Sequence, residues 1–387
     1  MSKDAMLEAF EGSAELLAEI ARREAVGSDF SALRGATAAM IDTYHPKMLD
    51  LVVDDIVVET VSSITICLRR QGGADLPPFL AGQYVNLFVK VGDLQTSRPY
   101  AISSSPKDRS RYELTIRRVP GGRVSNHLLD TLKRGDPLQS TGPMGTFFHN
   151  PLFHGEDLVF IAGGSGVAPA MSMIRDIVER ALPLRLHLIY GSTSATDILF
   201  KTELDAIAAK HANIRVAYVV MEPDAQWHGL TGLISAELIA SVTGPLNNRM
   251  VYVCGPQALY PYALEQLCAL AHKRRRIRFE ANGAPAQPQT QVGWPTGLST
   301  KTAVSVHVKG GPTFKTTCGT PLLDALEGAG ARPPVACRSG ECGLCRVRVV
   351  AGSAFSASES RVRKADIQFG YVHSCVSYAL GDLEIEL

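Results

Sequence analysis

Apolar positions follow three successive rhythms along the chain. In the first 45 residues Met6, Leu7, Phe10, Leu17, Ile20 and Ala21 recur at helical spacing, with Glu8, Glu11, Glu15 and Glu19 on the rest of the wheel. Gly27, Ser28 and Asp29 break the pattern, and Phe30, Leu33, Met40, Ile41 and Tyr44 resume it. The spacing predicts two short amphipathic helices, with Ser28 or Asp29 as N-cap of the second and His45-Pro46 as its stop. From about residue 47 the rhythm shortens. Segments 51–60, 63–70, 84–90 and 111–119 are rich in β-branched residues and are separated by the turn signals QGGAD, VGD and SSSPKD. They predict a small antiparallel barrel interrupted by one helix, Asn126–Leu132. From about 156, apolar strands (LVFIAGG, LRLHLIYG, IRVAYVV, MVYVCG) alternate with helical segments (MSMIRDIVERA, FKTELDAIAAK, SAELIASV, ALEQLCALAHK). That alternation predicts a parallel, doubly wound α/β sheet.

Residues 281–300 are rich in Pro, Gly, Gln and Thr and read as a linker. Strands then resume at AVSVHVKG and TFKTTCG, followed by a helix at PLLDALEGAG. The expected organisation is multidomain: a helical extension over 1–45, an antiparallel β-barrel over 46–153, an α/β domain over 154–282, a linker over 283–300 and a small α+β domain over 301–387. A length of 387 residues agrees with two or three cores at about 150 residues each.

Charge narrows the class of partner. Lys and Arg number 39 against 38 Asp and Glu, so no basic footprint for nucleic acid exists at whole-chain level. No stretch reaches the roughly 18 apolar residues of a membrane span. Acidic residues within the first apolar turns argue against a secretion signal, so the cytoplasm is the expected compartment. The sequence leaves the oligomeric state open.

Four of the eight cysteines are not scattered. Cys337, Cys342 and Cys345 lie in CRSGECGLC, a C-x4-C-x2-C run, and Cys375 follows thirty positions later. This is the spacing of plant-type [2Fe–2S] ligation. Four thiolates must converge on two irons, so three come from one tight loop and the fourth is expected from a distant strand. Gly340 and Gly343 permit the backbone angles such a loop needs. Structural zinc more often shows two C-x2-C pairs, whereas only one exists here, and disulfides do not suit a chain without a secretion signal. His373 is read as a surface or supporting residue rather than a ligand, and Cys67 and Cys268 as buried packing. Arg338, beside Cys337, is expected to favour the more negative, reduced cluster; plant-type clusters sit at about −400 mV.

Two loops at strand ends carry further chemistry. Gly163-Gly164-Ser165-Gly166-Val167-Ala168-Pro169 joins an apolar strand to a helix, where backbone N–H groups and the helix start can meet a phosphate. Cys254-Gly255-Pro256 ends another strand, again where open parallel sheets bind ligands. In the barrel, Arg98-Pro99-Tyr100-Ala101-Ile102-Ser103 places a phosphate-neutralising cation and a stacking aromatic two residues apart, on one strand face. Gly121-Gly122-Arg123-Val124-Ser125 precedes the barrel's helix, with Ser125 as its natural N-cap and the helix start as an anion site.

In this order, RPYA, GRVS, GGSGVAP, CGP and the cysteine set resemble the ferredoxin–NADP⁺ reductase superfamily over residues 47–387. The likeness is to the oxygenase-reductase branch with a C-terminal plant-type ferredoxin (β-grasp) domain. The resemblance implies that Arg98 binds flavin phosphates, Tyr100 packs on the isoalloxazine, and Gly122, Val124 and Ser125 hold the pyrophosphate. It implies that Gly163, Gly164, Gly166 and Pro169 shape the dinucleotide site, with Cys254, Gly255 and Pro256 beside the nicotinamide. The family's usual serine after the tyrosine is Ala101 here, so the partner of flavin N5 is left open among a backbone N–H, Ser103 or another group. The segment Thr141–Phe147 (TGPMGTF) resembles FAD-binding relatives, with FMN as the alternative. GSTSATDILF after Tyr190 lacks the Arg or Lys that would pair a 2′-phosphate, so NADH is expected over NADPH. Lys273–Arg276 reads as the solvated end of a helix.

The implied function is electron transfer from NADH through the flavin and the [2Fe–2S] cluster to a partner metalloprotein: a Rieske oxygenase, a P450, a diiron monooxygenase or a corrinoid system. Two other readings are an electron-transfer subunit of another redox complex, such as dihydroorotate dehydrogenase, and a redox-sensing module. The first is disfavoured by the long gap to Cys375, the second by the flavin and nucleotide motifs. The N-terminal helices are expected to dock a partner or a second copy.

Overall fold

The computed structural model describes residues 12–27, 35–280, 283–358 and 360–387. It divides into two compact units, 1–47 and 48–387. The first holds α1 (Ser13–Ala25) and α2 (Ala36–Tyr44), each opening at a left-handed glycine, Gly12 and Gly35. Glu19 pairs with Arg22 and Arg23 on the exposed face of α1, and neither helix buries a residue. Helix α2 stops at His45, before Pro46, as the restriction on residues preceding proline requires. Met6, Leu7, Phe10, Phe30, Leu33 and the expected caps Ser28 and Asp29 lie outside the described residues.

The second unit begins with β1 (Leu49–Thr60), β2 (Ser63–Arg70), β3 (Tyr84–Val91), β4 (Leu94–Ala101), β5 (Tyr112–Arg117) and β6 (Pro137–Ser140). They form one antiparallel sheet in the order β4-β3-β6-β1-β2-β5, and a bridge between Ile102 and Leu114 joins its two edges into a barrel. Leu51, Ile66, Leu68, Leu87, Leu114 and Ile116 fill the interior. Strands β4 and β6 carry too many polar residues and prolines to show in the apolar pattern; pairing alone makes them strands. The barrel's helix, α3, runs Arg123–Thr131, three residues earlier than expected, with Gly122 in the capping position. Ser125 is therefore its third residue and not its N-cap.

The parallel sheet has the order β10-β9-β8-β7-β11-β12. Its strands are β7 (Asp157–Gly163), β8 (Arg185–Ser192), β9 (Ile214–Val220), β10 (Leu230–Thr231), β11 (Met250–Cys254) and β12 (Ile277–Glu280). Helices α4 (Ala168–Glu179), α5 (Lys201–Lys210), α6 (Ala236–Thr243) and α7 (Leu259–Ala269) connect them. Two apolar clusters cover its two faces, so its central strands read as continuous apolar runs. Arg274–Arg276 form a short 3₁₀ turn leading into β12, not the end of a helix. Arg276 donates to the carbonyls of Phe153, His154 and Asn248 and ties that turn to the sheet's base.

The C-terminal segment forms a sheet in the order β14-β13-β19-β15-β17, with strands β13 (Ala303–Val308), β14 (Thr313–Thr317), β15 (Arg346–Ala351), β17 (Tyr371–His373) and β19 (Leu383–Glu386). The small pair β16 (Ala354–Ser356) and β18 (Ser377–Ala379) lies beside it, with helices α8 (Leu322–Gly328) and α9 (Lys364–Gln368). The expected linker is not a free tether in this part of the chain. Trp294 meets the rings of Phe355 and Tyr378 edge-on at 5.3 and 6.1 Å, and its indole N–H donates to Leu298.

Candidate functional site

Helix α8 buries Leu322, Leu323 and Leu326, and the chain then enters the cysteine loop. Three residues of this loop are left-handed: Arg338, Gly340 and Gly343. Glycine removes the steric cost at two of them, and a β-carbon on Gly343 would lie 3.4 Å from His373 Nε2. His373 is buried, with Nδ1 2.8 Å from the Gly340 carbonyl, so it braces the loop and is not a surface residue. Ser374 donates through both its N–H and its hydroxyl to the Cys345 carbonyl.

Cys337, Cys345 and Cys375 are buried and Cys342 is exposed. Cys375 sits in a 3₁₀ turn, Ser374–Val376, between β17 and β18 and not on a strand. The thiols lie within hydrogen-bonding reach of one another in the sequence 342, 337, 375, 345. Backbone N–H groups of Ser339 and Cys342 both point at Cys337 Sγ, 3.4 Å away. The Cys337 thiol is held low by hydrogen bonds from Cys342 and Cys375, while Cys342 and Cys375 are pushed up as their partners hold the charge. Four thiols in one connected series, with backbone amides aimed at a sulfur, fit a binuclear cluster.

Arg338 is engaged by α8 and β4. Its guanidinium pairs with Glu327, with Asp324 at 3.0 Å and with Thr96 Oγ1 of β4 at 3.0 Å. Two carboxylates offset its charge, so the expected electrostatic preference for a reduced cluster has little support. Its contacts instead join the cysteine loop to the barrel, as does Asn86 Nδ2 on the Val335 carbonyl at 3.1 Å.

One cavity of about 1040 Å³ runs from this loop along the barrel to the parallel sheet. Arg98, Tyr100, Gly122, Val124, Ser125, Gly163, Gly164, Pro169, Cys254, Gly255 and Pro256 line it, together with Cys337 and Cys375. Burial lowers the Arg98 pKa, with Arg338 adding to the effect, and burial raises that of Tyr100. Arg98 donates to Thr96 Oγ1 and the Ser97 carbonyl at 2.8 Å, which aims the guanidinium along β4. The glycine loop enters a 3₁₀ turn, Gly164–Val167, with Pro169 at the start of α4, where a missing N–H costs nothing.

Two of the residues expected at the flavin and the dinucleotide are not in the lining. Gly166 stands behind it: a β-carbon there would lie 2.2 Å from the Cys254 carbonyl oxygen, so its glycine serves a backbone-on-backbone contact. Ser103 is fully buried outside the lining, and its hydroxyl donates to the Glu113 carbonyl. Cys268 is exposed and does not pack, whereas Cys67 and Cys318 are buried. Thr115, Arg117 and Glu280 line the cavity without having been picked out by sequence. Arg117 pairs with Asp197 beside Gly164. Burial pushes the Glu280 carboxyl well above the usual range, with Glu341 and Cys337 adding to the effect. The doubled arginine of TIRR, next to the GGRVS turn, was the available signal for Arg117.

Comparison with known proteins meets this geometry at each cavity wall. An oxidoreductase FAD-binding domain matches residues 56–149, an oxidoreductase NAD-binding domain 160–264, and a 2Fe-2S iron-sulfur cluster binding domain 306–380. The NADH oxidoreductase HCR of Escherichia coli is 30% identical over 332 residues, covering 86% of this chain and 95% of its own. The chain belongs to the ferredoxin–NADP⁺ reductase superfamily. It lies in the branch with a C-terminal plant-type ferredoxin domain. The glycine betaine monooxygenase reductase subunit of Pseudomonas aeruginosa is 28% identical over 349 residues, covering 86% of this chain and 93% of its own. Phthalate dioxygenase reductase shares the fold at a TM-score of 0.65 and 24% identity, covering 88% of this chain and 98% of that one. This oxidoreductase therefore carries flavin, dinucleotide and iron–sulfur domains in one chain. Among its described residues no helix is long and apolar enough to cross a membrane.

Proposed function

We propose that this oxidoreductase is the NADH-dependent reductase component of a multicomponent oxygenase. It would deliver electrons through FAD and a [2Fe–2S] cluster to a terminal oxygenase. One observation carries the reading: a single cavity is lined by the RPY strand, both nucleotide loops and two of the four cysteines. When bound, the flavin supplies the conversion between hydride and single-electron chemistry, and the cluster supplies a one-electron exit.

In this reading Arg98 and the N-terminal turn of α3, with Gly122, Val124 and Ser125, hold the flavin phosphates, and Tyr100 packs on its ring. Gly163, Gly164 and Pro169 receive the dinucleotide phosphates, Gly166 keeps their loop against β11, and Cys254, Gly255 and Pro256 flank the nicotinamide. Cys337, Cys342, Cys345 and Cys375 are the cluster ligands. Cys342 is the exposed thiol, so the loop around it is the proposed exit for electrons. Relatives named as reductase subunits of glycine betaine monooxygenase and stachydrine N-demethylase support a terminal oxygenase as acceptor. The cytoplasm, whose reducing poise keeps thiols available as ligands, is the proposed compartment.

Flavin released from the denatured protein should chromatograph as FAD. NADH should bleach the flavin anaerobically and support reduction of cytochrome c or ferricyanide, with kcat/KM above that for NADPH. A protein that binds flavin and cluster but turns over neither acceptor would be a sensor, and the reading would fall.

A further inference from the structure

Side-chain hydroxyls form a continuous line across the outer face of the barrel, opposite the core residues Ile66, Leu114 and Ile116. Thr65 on β2 and Thr115 on β5 are register partners, and their Oγ1 atoms lie 2.9 Å apart. Thr65 Oγ1 donates to Glu59 Oε1 on β1 at 2.6 Å. Both threonines are buried, whereas Glu59 is only half-buried. At the other end, Thr115 lines the large cavity. The Ile102–Leu114 bridge places Thr115 directly across from Ala101, which lines the same cavity and carries no hydroxyl. Cross-strand partners of this kind hold their β-carbons about 5 Å apart.

The hydrogen bonds run in one direction. Each threonine has a single hydroxyl proton. That of Thr65 goes to the Glu59 carboxylate, so Thr115 must donate to Thr65. A lone pair of Thr115 is then left to accept a proton from the cavity side. The neighbouring Ser103 hydroxyl, 3.4 Å from Thr115, donates to the Glu113 carbonyl.

The proposed reaction needs such a path. A hydride brings two electrons and one proton into the cavity, while the cluster removes electrons alone. One proton per NADH therefore stays behind and must reach water. We propose that Thr115, Thr65 and Glu59 carry this proton out of the flavin cavity. Thr115 Oγ1 takes the proton as its own passes to Thr65, that of Thr65 passes to Glu59, and the Glu59 carboxyl releases it to water. At each hydroxyl one O–H bond forms as one breaks, and nothing but the electron acceptor is needed as co-reactant. Glu59 suits the role of a terminal base. Burial raises its pKa, opposed by the hydrogen bond from Thr65 and by Arg175 on α4, while Glu203 on α5 and Glu113 on β5 add to the rise. Neither Thr65 nor Glu59 lines the cavity, so both are positioning residues that act through Thr115.

The inference rests on the flavin reading above, and the test separates the two. Holoprotein is compared as wild type, T65V (same shape, no hydroxyl), T65S (hydroxyl kept) and E59Q. Reduced-minus-oxidised infrared spectra should show a carboxyl C=O band that shifts in D₂O. That band should be absent in E59Q, displaced in T65V and unchanged in T65S. In stopped flow, NADH should bleach the flavin at wild-type rate in every variant. Reoxidation by excess ferricyanide should slow at least tenfold in T65V and E59Q, with an enlarged solvent isotope effect, a modest share of the roughly 10²–10⁴ attributed to positioned proton transfer. T65S should reoxidise like wild type. If E59Q keeps every carboxyl band and reoxidises at the wild-type rate and isotope effect, the relay is wrong even though the flavin is reduced. If NADH does not bleach the wild-type protein, the flavin reading itself fails.

Discussion

Replacing Arg338 with methionine should unfold the cysteine loop's support far more than the loss of one charge suggests. The Arg338 and Glu327 side chains are only 6% and 8% exposed, and they face each other. Methionine fills much of the same space and, like arginine, has a β-carbon, so the left-handed backbone at 338 is equally strained in both. What changes is the pairing. Among the described residues, Glu327 would keep the hydrogen bond from the Thr96 hydroxyl, at 2.9 Å, and the more distant charge of Arg98, but no direct cationic partner. Breaking a buried pair by removing one partner costs about 3–5 kcal/mol, because a buried charge loses its partner. R338M should lose that amount. E327Q should lose less, about 1–3 kcal/mol, since Arg338 retains the half-exposed Asp324. The double variant R338M/E327L should recover most of the loss, because an apolar pair leaves no unpaired charge. Urea unfolding followed by the cluster's visible circular dichroism reports on this domain alone and avoids fitting a multidomain transition as two-state. At a slope of about 2 kcal/mol per M, R338M should move the midpoint down by about 2 M. A midpoint within about 0.5 M of wild type, or a double variant whose loss equals the sum of the singles, would refute the reasoning.

G166A should raise KM for NADH and destabilise the protein by about 1–3 kcal/mol, since its new methyl would lie 2.2 Å from the Cys254 carbonyl; unchanged KM and melting temperature would sink the close-approach account. C375S should abolish the cluster's absorbance and electron paramagnetic resonance signal while leaving the flavin spectrum, and C268S, at an exposed thiol, should change neither. Burial, with Arg278, His149 and Arg276 adding, pushes His154 down from 6.5 to about 4. The unfolded chain thus takes up a proton that the folded chain refuses across that window, so stability should fall as pH drops from 6.5 towards 4. The melting temperature of H154Q should depend less on pH over this range than that of wild type, and parallel profiles would contradict it.

What the sequence determined by itself was whatever rests on local spacing. Thiol separation of four and two residues, glycine loops closing apolar strands, and Arg98 with Tyr100 on one strand face are short-range patterns, and each is visible without a fold. The continuous apolar runs of β7, β8, β9 and β11 announced a sheet buried on both faces. Strand β12, preceded by arginines, and the polar strands β4 and β6 did not show, because their conformation comes from partners far along the chain. The start of α3 moved for a related reason. Ser125 looked like a cap by residue type, yet the helix began at Arg123, after the extended Gly122. Tertiary structure alone decided which charges meet. Arg338 is adjacent to a cysteine in sequence but is neutralised by Glu327 and Asp324 from α8. The hydroxyl line from Thr115 to Glu59 crosses three strands whose register no local pattern specifies. Spacing along one strand or loop is fixed by covalent geometry, whereas pairing between strands is set by the whole sheet, and that difference divides what could be read from what had to be seen.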